Sequence, residues 1–440
     1  MKKGIVVLLV VLALVVLISP GIIGRMAEKS VEENLNWAAE ESGALAVTSE
    51  NFSRGWFSSE GQHRIEISDE KLKAALGSMA QTDDIGPLPV LIINTHLDHG
   101  LVAVSSLARD KGSLAPGLGS AVSTLSVELP DGETVELPGS IYSKIGLSGD
   151  LQSNYVLPAG SFAEDGGTLS WGESDIDFST NPSNGRVTAA GRIGKLNVED
   201  GADVVAINGL TFSTDQVPTK YGFSTGDVEV ALSGMSVRNG GMAAGGIKSM
   251  KLDASTAVKN GLLSGRTRLT LDSEAIPQFG EVSVIADISL SGADAEAIGA
   301  LQRAMKAQGA NNADPQQMMA LLGDDLKQLL ATGVELRFDQ LDVTLPMGTV
   351  ETRLDFKVKE DNPATFEWTS LLLATEASAD ISIPEGLIDM ATQMNPQMGA
   401  AVGMGFLQKN GDVYELKAEY AKGLLTVNGT PMPIPLSMFQ

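Results

Sequence analysis

No cysteine occurs anywhere in the 440 residues. That absence excludes a disulfide framework, a thiolate nucleophile, a thiolate metal site and the lipid-bearing cysteine of a lipoprotein. Histidine is scarce as well: His63, His96 and His99 are the full complement, so imidazole chemistry has three places to occur. Basic residues are outnumbered, with 31 Lys and Arg against 55 Asp and Glu and a net charge of -24. A chain of that sign argues against nucleic acid and against adsorption to anionic headgroups, since both require basic clusters. Contact with lipid tails stays open. Aromatics make up 5% of the chain, whereas 48 glycines point to many tight turns, and 43% hydrophobic residues exclude global disorder.

Long apolar runs are missing too, with one exception. Every residue from Ile5 to Ile18 is apolar, and the low-polarity stretch extends from Gly4 to Gly24 with Ser19 and Pro20 as interruptions. At ~1.5 Å per helical residue such a stretch covers roughly 30 Å, the thickness of a bilayer core. Lys2 and Lys3 precede it and favour a cytoplasmic N-terminus. The expectation is a single transmembrane anchor over residues 1–25, engaging the membrane through residues 4–24, with the body on the far side. A cleaved signal peptide shares the charged start and apolar core. However, Ser19-Pro20-Gly21-Ile22-Ile23-Gly24-Arg25 offers no A-x-A-like cleavage site.

Residues 26–44 read as a helical stalk, with Val31, Leu35, Ala38 and Ala39 at helical spacing. From 45 to 291 the signal is period-2 alternation between turn residues. Leu125, Val127 and Leu129 run up to Pro130-Asp131-Gly132, and Val135 and Leu137 run back. Val228, Val230 and Leu232 form another run; Met250, Leu252 and Ala254 form the next, with Leu269 and Leu271 following a turn placed at Gly265. Val282, Val284, Ala286, Ile288 and Leu290 make a five-position apolar face. Residues 292–440 add helices to the continuing sheet. One helix is expected over 293–308 and a second from Asp314-Pro315-Gln316-Gln317 to a cap at Gly333. A third is expected over about 385–408, strands return around Tyr414–Tyr420 and Leu424–Val427, and a loop closes the chain from Pro431. The fold class predicted is mainly β with α, an extended antiparallel meander with helices packed on the sheet in the C-terminal third.

Candidate chemistry is thin. In His96-Leu97-Asp98-His99, a strand places His96 and Asp98 on one face and His99 on the other, so three ligands do not converge. Asp175-Ile176-Asp177 opens like a calcium loop but has Thr180 and Arg186 where glycine and glutamate are needed. Gly117-Leu118-Gly119 lacks the third glycine of a dinucleotide loop, and neither a Walker pattern nor a G-x-S-x-G elbow occurs. No catalytic residue, metal ligand or cofactor site is assigned. Eight of the sixteen methionines lie between 305 and 404, either as gap-filling core or as an adaptable apolar surface.

Four stretches resemble one family. Asn51-Phe52-Ser53-Arg54-Gly55-Trp56-Phe57-Ser58-Ser59 is similar to the N-x-x-R-G-x-F-S-S segment of YdgA-like bacterial envelope proteins. Asp98-His99-Gly100 and Ile145-Gly146-Leu147-Ser148-Gly149-Asp150 resemble that family's D-H-G and I-G-x-S-G-D segments, in the same order. Tyr420-Ala421-Lys422-Gly423 with Val427-Asn428-Gly429 resembles its C-terminal segment. Leu101 follows Gly100 where the family has proline. The resemblance implies an inner-membrane anchor and a periplasmic β-rich body, and it supplies no catalytic residue. Asn51, Arg54, Gly55, Phe57, Ser58, Asp98, His99, Gly100, Gly146, Gly149 and Asp150 are therefore the positions to locate, with structural turns as their expected role.

The expected function is a non-catalytic interaction or scaffold role, through self-association or an envelope protein partner. The alternative is a curved β sheet that carries lipid or another apolar ligand. A hydrolase is a third reading.

Overall fold

The computed structural model describes residues 45–54, 58–69, 73, 88–99, 119–129, 132–164, 167–181, 183–276, 279–308, 315–361, 371, 373–394 and 402–432. The anchor and stalk expected over 1–44 lie outside the described residues. Those described form mainly antiparallel β sheet with three short helices, in line with the alternation. None of the described helices is long and apolar enough to cross a membrane. The chain divides into two units, one of residues 1–217 and 232–244, the other of residues 218–231 and 245–440.

In the first unit, β1 (Leu45–Arg54), β2 (Ser58–Ile67), β3 (Val90–His99), β4 (Gly119–Glu128), β5 (Thr134–Ile145) and β6 (Leu151–Leu157) pair in sequence order. A side ribbon then begins with β7 (Gly160–Glu164) and β8 (Gly167–Trp171). The chain returns to β6 through β9 (Ser174–Asn181), followed by β10 (Arg186–Ile193). It extends the side ribbon with β11 (Leu196–Asp200) and β12 (Asp203–Ile207), then adds β13 (Leu210–Pro218) to β10. Next comes β14 (Ser224–Leu232), a strand of the second unit, and after it β15 (Met235–Asn239) pairs with β12.

Successive strand residues point to opposite faces, so the register defines two surfaces. Ile65 faces Leu91, which faces Val127, and the three are 0%, 4% and 1% exposed. Burying a side chain of this size contributes roughly 1.5–3 kcal/mol. Hydroxyls on the same face pair across strands: Thr95 with Ser123 and Ser143 with Ser153, each at 2.8 Å. Tyr155 faces Ile176 there, and burial pushes its phenol up to about 12.

In the second unit β14 pairs with β16 (Met242–Lys259), and a meander follows: β17 (Leu262–Ser273), β18 (Ser283–Asp294), β19 (Glu335–Leu345), β20 (Gly348–Val358) and β21 (Thr375–Pro384). Two helices, α1 (Ala295–Gln308) and α2 (Pro315–Ala331), connect β18 to β19. After β21 come α3 (Glu385–Met394), β22 (Gln408–Asn410), β23 (Val413–Ala421), β24 (Leu424–Val427) and β25 (Thr430–Met432), with β23 pairing to β21. The sheet is two-sided. Leu269, Ala286 and Leu341 stand in one cross-strand row, while Arg268, Asp287 and Gln340 stand in the next row on the opposite face. On the charged face Arg266 holds Asp287 by two 2.7 Å bonds, and the guanidinium keeps that carboxyl below the usual range.

The helices stand over strand ends. Asp294 caps α1 by accepting from the Ala297 N–H at 2.8 Å, and the Gln328 amide on α2 donates to the same carboxylate at 3.0 Å. Ala293, Ala331, Val334 and Val358 form the buried cluster where these elements meet, with Leu263 and Leu290 packed against it. Helix α3 packs on β21 and β23.

Three expectations are corrected. The turn placed at Gly265 is at Asn260-Gly261, whose φ values of 55° and 82° make the tight primed turn that a two-residue hairpin requires. Gly265 lies inside β17, opposite Thr256. The third helix is described over Glu385–Met394, and it does not reach 408, because residues 404–407 form turns and bends and Gln408 already pairs with β23. Pro431 and Met432, expected in the terminal loop, belong to strand β25, where proline's missing N–H is tolerated on a sheet edge, and residues from Pro433 lie outside the described residues.

Candidate functional site

Three of the four motif stretches meet at one end of the first unit's sheet. Arg54 is opposite Ser59, Ser58 is opposite Asp98, Asp98 is opposite Ser120, and Ser120 is opposite Lys144. In the adjoining row His99 faces Gly119, which faces Ile145. Asn51 sits where β1 slips register between Glu50 and Ser53. Gly55, Phe57 and Gly100 lie outside the described residues. The fourth stretch belongs to the second unit.

The I-G-L-S-G-D stretch is a hairpin turn between β5 and β6. The Gly146 N–H donates to the Asp150 carbonyl at 2.7 Å, the Gly149 N–H donates to the Gly146 carbonyl at 3.0 Å, and the Ser148 hydroxyl bonds the Asp150 carboxylate. Gly149 has φ +80°, and a Cβ on Gly146 would sit 2.2 Å from Asp150 Oδ1. Asn428 has a parallel role in the second unit. Its carboxamide accepts from the Lys417 N–H at 2.9 Å and donates to the carbonyls of Gly405 and Phe406 at 3.2 and 3.0 Å.

Beside the motif end, His96 lies between two carboxylates. Its Nδ1 is 3.2 Å from Glu60 Oε1 and its Nε2 is 3.2 Å from Asp98 Oδ1. Alternation along β3 brings Asp98 to it, and the β2–β3 register adds Glu60. That second partner was missed, because nothing in the sequence links residues 36 positions apart. One ring nitrogen faces each carboxylate, which positions the imidazole. Among the described residues no group of three His, Asp or Glu side chains is arranged to hold a metal ion. The Asp175 and Asp177 carboxylates share a donor, the Asn154 amide, at 3.0 and 2.8 Å.

His63 is different: it is 2% exposed on the apolar face, and burial lowers its pKa. The unfolded chain then takes up a proton that the folded chain resists. Stability from this group is complete above the ordinary histidine range and falls as pH drops toward the folded pKa, by at most ~1.4 kcal/mol per pH unit. Unfolding titrations between about pH 7 and 5 are expected to show a smaller loss in His63→Gln than in the native chain. Equal pH slopes in the two would contradict the assignment.

The same unit carries a cleft of about 530 Å³ on its outer face, lined by side chains of β2 to β5. Gln62 and Asn94 join there by a 2.9 Å amide bond, and Arg64 grips Glu128 through bonds of 2.8 and 2.7 Å. That grip holds the Glu128 carboxyl below its usual range. In the second unit the corresponding feature is the apolar sheet face between the helix-covered strand ends, where Phe356 is 37% exposed.

A family model described as a bacterial protein of unknown function, DUF945, matches residues 1–435. The chain therefore belongs to the DUF945 family of bacterial proteins. No curated protein and no solved structure matches it.

Proposed function

We propose that the chain is a membrane-tethered envelope protein of the YdgA-like kind, with its body in the periplasm and a role in binding rather than catalysis. One observation carries the binding role. The motif positions that are described use their glycines, aspartates and Asn428 to build turns and strand ends, so they define a scaffold of sheet. The apolar run over residues 4–24 after Lys2 and Lys3 supports the tether and its orientation.

The native chain has no cysteine, so single cysteines report without background. Ser264→Cys and Ser378→Cys, both at exposed positions, are expected to react with a membrane-impermeant maleimide in intact spheroplasts. Ser123→Cys serves as the control, since Ser123 is 7% exposed and bonded to Thr95, and it should react only after denaturation. Reaction of Ser264→Cys and Ser378→Cys only after lysis would put the body in the cytoplasm and end the proposal.

A second reading has an observation in its favour. The helices α1 and α2 pack at β18 and α3 packs at β21 and β23, so among the described residues the row Ile288, Phe338, Leu354 lies between them. A lipid-type carrier needs such an apolar face. Lipid extraction and native mass spectrometry on residues 26–440 purified from cells separate the two readings. Near-stoichiometric lipid, lost in Ile288→Asp without loss of the β spectrum, would replace the scaffold with the carrier. Retention of a second copy or an envelope protein without lipid supports the scaffold.

A further inference from the structure

The cleft on the outer face of β2 to β5 is built into the strand geometry. Leu125 pairs with Leu137 and Thr124 with Ser140, so Pro138 and Gly139 have no partners on β4 and bulge out of the ladder. A bulge bends its strand and re-aims the neighbouring side chains. The concavity that results measures about 530 Å³, within the roughly 300–1,000 Å³ of small-molecule sites.

Its lining narrows the ligand. Ser126 is 5% exposed, lines the cleft, and has no hydrogen-bond partner for its hydroxyl among the described residues. The only buried side-chain atoms without a partner among the described residues are Thr180 Oγ1 and Asp200 Oδ2, so water in the cleft reaches the Ser126 hydroxyl and a ligand hydroxyl can take that water's place. The Thr124 hydroxyl beside it is likewise unbonded among the described residues. Asn94 uses its carbonyl to accept from Gln62, which leaves its NH2 to donate. Ile92, opposite Arg64 and Ser126, adds an apolar side chain to this polar set.

Charge excludes the commoner alternatives. Arg64 is the cation of the cleft, and Glu128 already grips it through both oxygens. Glu136 adds a carboxylate with no ion pair among the described residues, so the lining is net negative. Phosphates and carboxylates are repelled, and an acyl chain would strip water from hydroxyls and amides without replacing it. A peptide strand is recognised through an open backbone edge, whereas this cleft lies on the face of strands paired on both sides. A sugar ring fits each element. Its hydroxyls both donate and accept, which suits Ser126, Thr124, Asn94 and Glu136, and its C–H face suits Ile92.

We propose that this cleft binds a neutral polyhydroxylated ligand, a sugar ring or a short uncharged oligosaccharide. The site stands on its own geometry and does not depend on the tether or on how the second unit's apolar face is used. The test uses the full chain in an oxyethylene detergent, because glycoside detergents would compete. Chitotetraose, maltotetraose and cellotetraose are the probes, with inorganic phosphate and tetra-alanine alongside, read by saturation-transfer NMR and calorimetry. At least one oligosaccharide is expected to bind. Its affinity should fall at least about tenfold in both Ser126→Val and Asn94→Leu, with unchanged melting temperature in Asn94→Leu, whose side chain is exposed. Ser264→Ala in the second unit should leave affinity unchanged. The assignment is overturned if none of the three sugars binds up to about 10 mM, if phosphate or the peptide binds instead, or if sugar binding survives Asn94→Leu.

Discussion

Replacing Gly139 by alanine is expected to destabilise the first unit by ~3 kcal/mol or more. Two independent effects act on the same atom. The residue has φ +106°, outside the region that L side chains tolerate, and holding a non-glycine residue in such a region costs roughly 1–3 kcal/mol. The added Cβ would also lie 2.5 Å from the Val156 carbonyl oxygen and 3.2 Å from the Leu157 Cα. Both are backbone atoms of β6, held by the pairing of Val156 with Ser140. Relief therefore requires moving a strand, not turning a side chain, and forced insertion of this kind typically costs about 1–3 kcal/mol more. Urea unfolding of the variant should show a lower midpoint with an unchanged slope. A change within about 0.5 kcal/mol, the scale of an ordinary surface substitution, would mean that the bulge is not formed as described.

The second large effect is expected at Ile65, and its value lies in a comparison. Ile65→Ala removes a side chain that is 0% exposed between Val47 and Leu91, so the loss should be about 3 kcal/mol. Phe356→Ala removes a larger side chain from the second unit's apolar face. At 37% exposure it leaves little cavity behind, and the loss should stay below about 2 kcal/mol. The order of the two is the informative result. If Phe356→Ala costs as much as Ile65→Ala, that apolar face is packed core and the lipid-carrier reading loses its support.

Most of the strand content was legible because a half-buried strand must alternate. Val135 and Leu137, Val228 to Leu232, and Val284 to Leu290 all lie in strands, as their spacing required. The α2 boundaries were legible for another reason: Pro315 suits a first helical position, and Gly333 supplies φ +87° after the last turn. The turn at Asn260-Gly261 was misplaced because Gly265 looked equally capable of turning, and only pairing decides between two glycines. Pairing also hid what matters for binding. Glu60 meets His96, Arg64 meets Glu128 from 64 positions away, and the cleft lies beside two residues of β5 that have no partner on β4. These are facts of register, and register between distant strands leaves no mark in a local pattern.

Strand β15 closes the first unit from beyond residues 218–231, which the second unit takes for β14. A chain cut after Val217 would leave Val204 to Ile207 without Met235 to Arg238, and thus with a bare sheet edge. A chain started at Gly245 would leave β16 without β14. Neither unit is a continuous piece of polypeptide, so neither can be released by one proteolytic cut or inherited by simple gene truncation. During synthesis the first sheet also cannot complete its β12 edge until part of the second has already been made.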